Sequence, residues 1–198
     1  MATRCAEHGI HYLDAPISGG ATKAAQGALS IMASGNDEAF AAAKSVLDDI
    51  SETVFKLGDK AGAGSAMKAV NQLLAGVHIA TMAEALTFGM TQGVEPKTFV
   101  EVISKCAGSS WMLENRAPHI VDGDYTPKSA VNIWLKDLGI VLDIAGSANF
   151  DAPISKAALA EFTKAAEMGL GLEDDAAVAK VYADRAQLTL PFVDTKTS

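Results

Sequence analysis

From Ser65 to Gly93 the chain reads SAMKAVNQLLAGVHIATMAEALTFGMTQG, 29 residues with no breaker stronger than Gly76. Apolar side chains recur along it at helical spacing. Wholly helical, it would be roughly 43 Å long. Such a rod divides the chain, and the residue patterns on its two sides differ.

Before it, strand and helix patterns alternate. Residues 3–8 resemble a helix end stopped at Gly9. IHYLDAPI (10–17) reads as a strand, followed after Gly20 by a polar, alanine-rich link past Gly27. ALSIMAS reads as a second strand ended by Gly35-Asn36, DEAFAAAKSVLDDI as an amphipathic helix with Asp37 near its cap, and ETVFKLG as a third strand ended by Gly58. This is the grammar of an α/β sheet. After the long helix the patterns are helical throughout. EPKTFVEVISKCAG has Pro96 in its first turn, SWMLENRAPHIVDG is shorter and broken at Pro118, and VNIWLKDLGIVLDIAGSA, ISKAALAEFTKAAEMG and DDAAVAKVYADRAQL follow. No convincing strand lies beyond Gly58. The expected fold is therefore an α/β fragment over residues 1–63 joined by the long helix to an all-α domain over 64–198, beginning near Gly64. DAPIS occurs twice, at 14–18 and 151–155, but in a strand first and at a helix entry second, so the recurrence is no repeat.

Composition narrows the function classes. About half the chain is apolar (49%) with few aromatics, enough for a core of Ala, Leu, Val and Ile. The net charge of -8 offers no basic face to nucleic acid, although a few local lysines suffice for an anionic substrate. Cys5 and Cys106 have neither disulfide-framework nor metal-ligand spacing, which fits a reducing cytosol and a chain without metal. The N-terminus has no apolar core of a signal peptide, and no apolar run approaches 18 residues, so no membrane span is expected.

Three spots carry chemistry. Ser18-Gly19-Gly20 ends the first strand in a bare polar tip. Ligands of α/β sheets sit beyond strand ends, and a hydroxyl with exposed backbone N–H groups can hold a carboxylate; the same residues would serve an ordinary turn. GAGSAMKAVNQ (62–72) departs from the dinucleotide fingerprint G-x-G-x-x-G, having Met67 at the third glycine position and no acidic residue on a following strand. Its Lys68, Asn71 and Gln72 stand at i, i+3 and i+4 and share a face near the helix start. A half-buried lysine there could shuttle protons, whereas a surface lysine would simply snorkel. In NIWLKDLGIVLD, Lys136 and Asp137 interrupt an apolar helix and Asp143 falls on the face of Lys136, as in an exposed charged stripe.

The three spots, in this order, resemble the motifs of the β-hydroxyacid dehydrogenase family. That group contains 3-hydroxyisobutyrate dehydrogenase, tartronate semialdehyde reductase and, more distantly, 6-phosphogluconate dehydrogenase. DAPISGGATKAAQGALSIMASG resembles its substrate loop, GAGSAMKAVNQ its catalytic helix and KDLGIVLD its late cofactor-side motif. The tail, with DYTPKSAVNIWLKDLGIVLD and GLGLEDDAAVAKVY, is most similar to the L-threonate dehydrogenase branch. The resemblance implies that Ser18, Gly19 and Gly20 bind the substrate carboxylate and neighbouring hydroxyl, and that Lys68 is the general acid/base. It further implies that Asn71 or Gln72 orients the substrate and that Lys136 approaches a bound NAD or NADP.

Relatives begin with a Rossmann half bearing G-x-G-x-x-G, and the resemblance starts after it, leaving roughly 100 residues, a small domain, without a counterpart. The expected function is thus the C-terminal part of a cytoplasmic NAD(P)-dependent dehydrogenase oxidising a small 3-hydroxy acid, 3-hydroxyisobutyrate or L-threonate-like, with this chain alone inactive and binding dinucleotide very weakly. The alternative is a non-catalytic helical oligomerisation module left after loss of the nucleotide-binding half. In either case apolar residues on several sides of the long helix (Leu73, Val77, Ile79, Met82, Leu86) suggest a homodimer or tetramer.

Overall fold

The structure, a computed structural model, describes residues 1–192; residues 193–198, the expected end of the helical domain, lie outside the described residues. Contacts divide the chain into two compact units, the first ending at Asn71 and the second starting at Gln72. The division falls inside one continuous helix, α4 (Ala63–Thr91).

The first unit opens with α1 (Ala2–Glu7), closed by Gly9 at φ +66°. A three-stranded sheet follows, in the order β1 (Ile17–Ser18), β2 (Leu29–Ala33), β3 (Ser51–Lys56). β1 runs antiparallel to β2 and β3 parallel to it. The crossover from β2 to β3 is α3 (Asp37–Ile50), whose cap is Asn36, the residue before Asp37: the Asn36 side chain accepts from the Ala39 N–H at 2.9 Å. Leu29, Ile31, Ala33 and Leu47 form this unit's buried core.

Two elements differ from the sequence reading. The expected strand over 10–17 is assigned only at Ile17–Ser18, with an isolated bridge Asp14↔Ser34 upstream. The bridge and β1 share one register on β2, and the Pro16 carbonyl accepts from the Met32 N–H within it. Pro16 has no N–H to return, so the ladder is interrupted there. The link after Gly20 is a short helix, α2 (Gly20–Ala25), since alanine-rich chain winds readily once a turn starts it.

The second unit is built on α4 from Gln72 onward, with α5 (Pro96–Ile103), α6 (Trp111–Asp122), α7 (Val131–Ser147), α8 (Pro153–Ala165) and α9 (Ala179–Ala186). A π turn over Ala166–Leu170 and a 3₁₀ turn over Asp175–Val178 connect the last two. Among the described residues no strand beyond β3 joins the sheet. α6 runs unbroken through Pro118, against expectation. Burial of Met112, Leu113, Arg116, Ala117, His119 and Ile120 outweighs the one hydrogen bond the proline removes, and the orphaned carbonyl belongs to exposed Glu114.

Ile79, Met82 and Leu86 of α4 are fully buried with Leu113, Val131, Leu138 and Phe162, and Trp134 stacks on Phe162 at 5.7 Å between ring centroids. Three of the five apolar residues thought to need partners outside the chain are therefore covered inside it, while Leu73 and Val77 are half-buried. The same burial bears on membranes. By length and composition alone α4 could cross a bilayer, although polar residues such as Asn71, Gln72, His78 and Glu84 interrupt its apolar run. Its apolar residues instead supply the centre of this core.

Candidate functional site

The strand tip is a forced turn. β1 ends at Ser18, and the chain enters α2 with Gly19 at φ +134° and Gly20 at φ +66°, backbone that side chains rarely adopt. A Cβ on Gly19 would also stand 2.8 Å from the Lys23 Cβ and 3.3 Å from Leu29. The glycines thus serve the turn itself and leave Ser18 as the tip's only side chain.

Four residues before Ser18, Asp14 is buried at 8% exposure. Its carboxylate gathers the start of α4. Oδ2 accepts from the Gly62 and Ser65 N–H groups, each at 2.9 Å, and from the Ser34 hydroxyl at 3.2 Å; Oδ1 accepts from the Ser65 hydroxyl at 2.5 Å. Ser34 Oγ in turn accepts from the Gly64 N–H at 3.0 Å. Burial alone would raise the Asp14 pKa, but the Ser65 hydroxyl, the Ser65 and Gly62 N–H groups and Ser34 together hold it below the usual carboxylate range. Gly64 lets the helix come this close, since a Cβ there would lie 2.2 Å from the Met32 carbonyl oxygen.

Lys68 is half-buried one turn beyond Ser65, and Asn71 lies on its face one turn further. Ser18, Gly19, Gly20, Lys68 and Asn71 therefore belong to the first unit, sutured through Asp14. The N–H groups that a dinucleotide phosphate would need at this helix start are spent on Asp14 and Ser34.

Gln72 and Lys136 belong to the second unit. The Gln72 Nε2 donates to Asp137 Oδ2 at 2.6 Å, and Lys136 Nζ lies 3.1 Å from Asp137 Oδ1. Asp137 is nearly covered, with a side-chain exposure of 14% against 69% for Lys136. It is a bridge between two of the expected site residues rather than part of an exposed stripe. Two surface clefts of the helical unit, about 510 Å³ (Leu142, Lys156, Arg185) and about 650 Å³ (Tyr125, Lys180, Phe192), contain none of those residues. Among the described residues no group of three His, Cys, Asp or Glu could hold a metal ion.

Sequence reasoning missed Asp14, Ser34 and Ser65. A serine at a helix start is a cap signal, yet its acceptor lies 51 positions away, and no local pattern reveals that pairing.

Comparison with known proteins adds the following. The family described as NAD-binding of NADP-dependent 3-hydroxyisobutyrate dehydrogenase matches residues 62–182, and the NAD binding domain of 6-phosphogluconate dehydrogenase matches residues 1–58. The L-threonate dehydrogenase of Cupriavidus necator is 52% identical over 92% of this chain and 61% of its own length. That of Escherichia coli K12 is 47% identical over 96% of this chain and 62% of its own. The chain thus spans about three fifths of the curated relatives it matches. Among solved structures, the 3-hydroxyisobutyrate dehydrogenase of Salmonella typhimurium is 48% identical with a TM-score of 0.86, covering 91% of this chain and 63% of that one. The Mycobacterium tuberculosis 3-hydroxyisobutyrate dehydrogenase with L-serine is 27% identical with a TM-score of 0.81, covering 91% of this chain and 64% of that one.

Proposed function

This chain belongs to the β-hydroxyacid dehydrogenase family, and from that membership we propose that it is the substrate-side part of an NAD(P)-dependent dehydrogenase acting on a small hydroxy acid of the L-threonate or 3-hydroxyisobutyrate kind. The observation that carries the proposal is the suture at Asp14. It ties the helix bearing half-buried Lys68 to the strand ending in Ser18-Gly19-Gly20. The L-serine of the Mycobacterium tuberculosis structure, itself a small hydroxyl-bearing carboxylate, agrees with that substrate class. We assign residues 1–63 to the end of the dinucleotide domain and the rest to the helical domain.

In this reading the Ser18 hydroxyl and the backbone of Gly19 and Gly20 hold the substrate carboxylate and its neighbouring hydroxyl. Lys68 takes the hydroxyl proton as the carbonyl forms, and returns one in the reverse direction; such help is worth about 10²–10⁴ in rate. Asn71 orients the substrate, being one turn from Lys68 in the same unit, while the Gln72 amide nitrogen donates to Asp137. A bound nicotinamide would supply the hydride acceptor. Of this chain's residues Lys136 fits an anionic dinucleotide, with its ammonium largely exposed, whereas the start of α4 does not. We place the enzyme in the cytoplasm as a homodimer or tetramer, with exposed Leu74 and Phe88 of α4 among its contact residues.

The test is a fusion of this chain behind the nucleotide-binding segment of the Cupriavidus necator relative, assayed with L-threonate and 3-hydroxyisobutyrate beside the unfused chain. The fusion should reduce NAD or NADP and the unfused chain should not. Lys68→Ala should lower kcat of the fusion by about 10²–10⁴, and Lys136→Ala should weaken dinucleotide binding first. A fusion that folds, binds dinucleotide and stays inert would favour the association module instead.

A further inference from the structure

We infer that Asp14 is a positioning residue for Lys68: its buried carboxylate sets the distance between the acid/base lysine and the substrate-holding strand tip. The inference rests on the assignment of Lys68 and of Ser18-Gly19-Gly20 given above.

Two lines of geometry meet in this one side chain. Along the strand, Asp14 pairs with Ser34 and Ser18 with Ser30 in a single antiparallel register, so Ser18 is fixed relative to Asp14 by the β2 ladder. Along the helix, Asp14 takes both the N–H and the hydroxyl of Ser65, and Lys68 is the next turn on that side. Any slip of α4 along its axis would break the Gly62 and Ser65 bonds to Asp14 and the Gly64 bond to Ser34 together. Gly64 blocks movement toward the sheet, because it already lies against the Met32 carbonyl. The lysine's place is therefore defined in both directions.

The charge balance suits this role. The four donors described for the carboxylate are N–H or O–H groups, three of them from the start of α4, where the helix dipole favours an anion. These donors favour the ionised form of Asp14 despite its burial. Misplacing a reacting group by about 1 Å can cost on the order of 10²-fold in rate. The hydroxyl of Ser65 is the most sensitive link, since it alone satisfies Oδ1 among the bonds described.

The experiment uses the active fusion at a temperature where every variant is fully folded, as checked by its melting curve. Ser65→Ala and Asp14→Asn should each lower kcat by about 10–100-fold, with the KM for dinucleotide changed less than about twofold. Ser65→Thr, which keeps the hydroxyl, should restore kcat to within about threefold of the parent. If Asp14→Asn fails to fold, the Ser65 pair decides. Variants that lose melting temperature but keep kcat would overturn the inference and leave Asp14 a structural cap. Should Lys68→Ala keep its kcat, the functional reading itself falls. Should Lys68→Ala lose kcat while Ser65→Ala does not, only the inference falls.

Discussion

Each unit of this protein is held by buried aspartates, and they are satisfied differently. In the first unit the donors described for Asp14 are hydroxyl and backbone N–H groups, which hold it below the usual carboxylate range. In the second, Asp174 and Asp175 are fully buried side by side. Asp175 accepts from Arg116 Nε at 2.5 Å and from the Trp134 indole at 2.9 Å. Asp174 accepts from the Lys128 and Ala176 N–H groups and lies 2.8 Å from His119 Nδ1. Lys128 Nζ stands 3.0 Å from the other ring nitrogen. The first arrangement ties a helix start to a strand. The second plugs a helical core with a charge pair. Buried aspartates are thus satisfied by hydroxyl and N–H donors in one unit and by charged and aromatic side chains in the other.

The largest expected effect breaks the plug. Arg116→Ala leaves Asp175 buried against Trp134 alone, and removing one partner of a buried ion pair costs about 3–5 kcal/mol. Urea unfolding of the helical unit should show this loss. The double change Arg116→Met with Asp175→Leu should recover most of it, because no unpaired charge remains. A single variant as stable as the parent would mean that water reaches Asp175.

Next comes the suture. Gly64→Ala puts a Cβ 2.2 Å from the Met32 oxygen and 2.9 Å from the Asp14 carbonyl oxygen, backbone atoms that cannot rotate away. Overpacking of this kind costs about 1–3 kcal/mol. The loss should appear in the first unit's melting, with the amide exchange of Gly62 and Ser65 accelerated and that of the helical core unchanged. Equal acceleration in both units would break the distinction drawn between them.

Elements that rest on local pattern were legible in the sequence. α3, β2, β3 and the long helix fall within a few residues of where periodicity and glycine stops put them. The family was legible too, because three motifs occur in order. What escaped was long-range satisfaction. Nothing near Asp14 says that its donors are Gly62 and Ser65, and nothing near Gln72 says that its amide reaches Asp137. Pro118 misled for a related reason: a local breaker was overruled by six buried neighbours from α6. Burial also redirected the argument from Ile79, Met82 and Leu86, which looked like contact residues and are core.

The smallest expected effect is a difference of sign with pH. Asp14 has a folded pKa below its ordinary value of 3.8, so its stabilisation is complete above that value and is lost as pH falls through the folded pKa. In the helical unit the two aspartates oppose one another. Burial raises Asp175 despite Arg116 and Trp134, so lowering the pH through its raised value toward 3.8 favours the folded form. Burial also works against ionised Asp174, but the N–H groups of Lys128 and Ala176 and the His119 ring outweigh it, so this residue behaves as Asp14 does. The pair should largely cancel, and the first unit should therefore loosen first in acid. Hydrogen exchange of the Ser65 amide and of the Trp134 indole, each normalised to its intrinsic rate, reads the two units separately between about pH 5 and pH 3. Ser65 protection should fall while that of Trp134 holds, and Asp14→Asn should flatten the Ser65 response. Parallel loss at both probes would show that the aspartates titrate as one cooperative block and that the contrast between suture and plug is one of geometry alone.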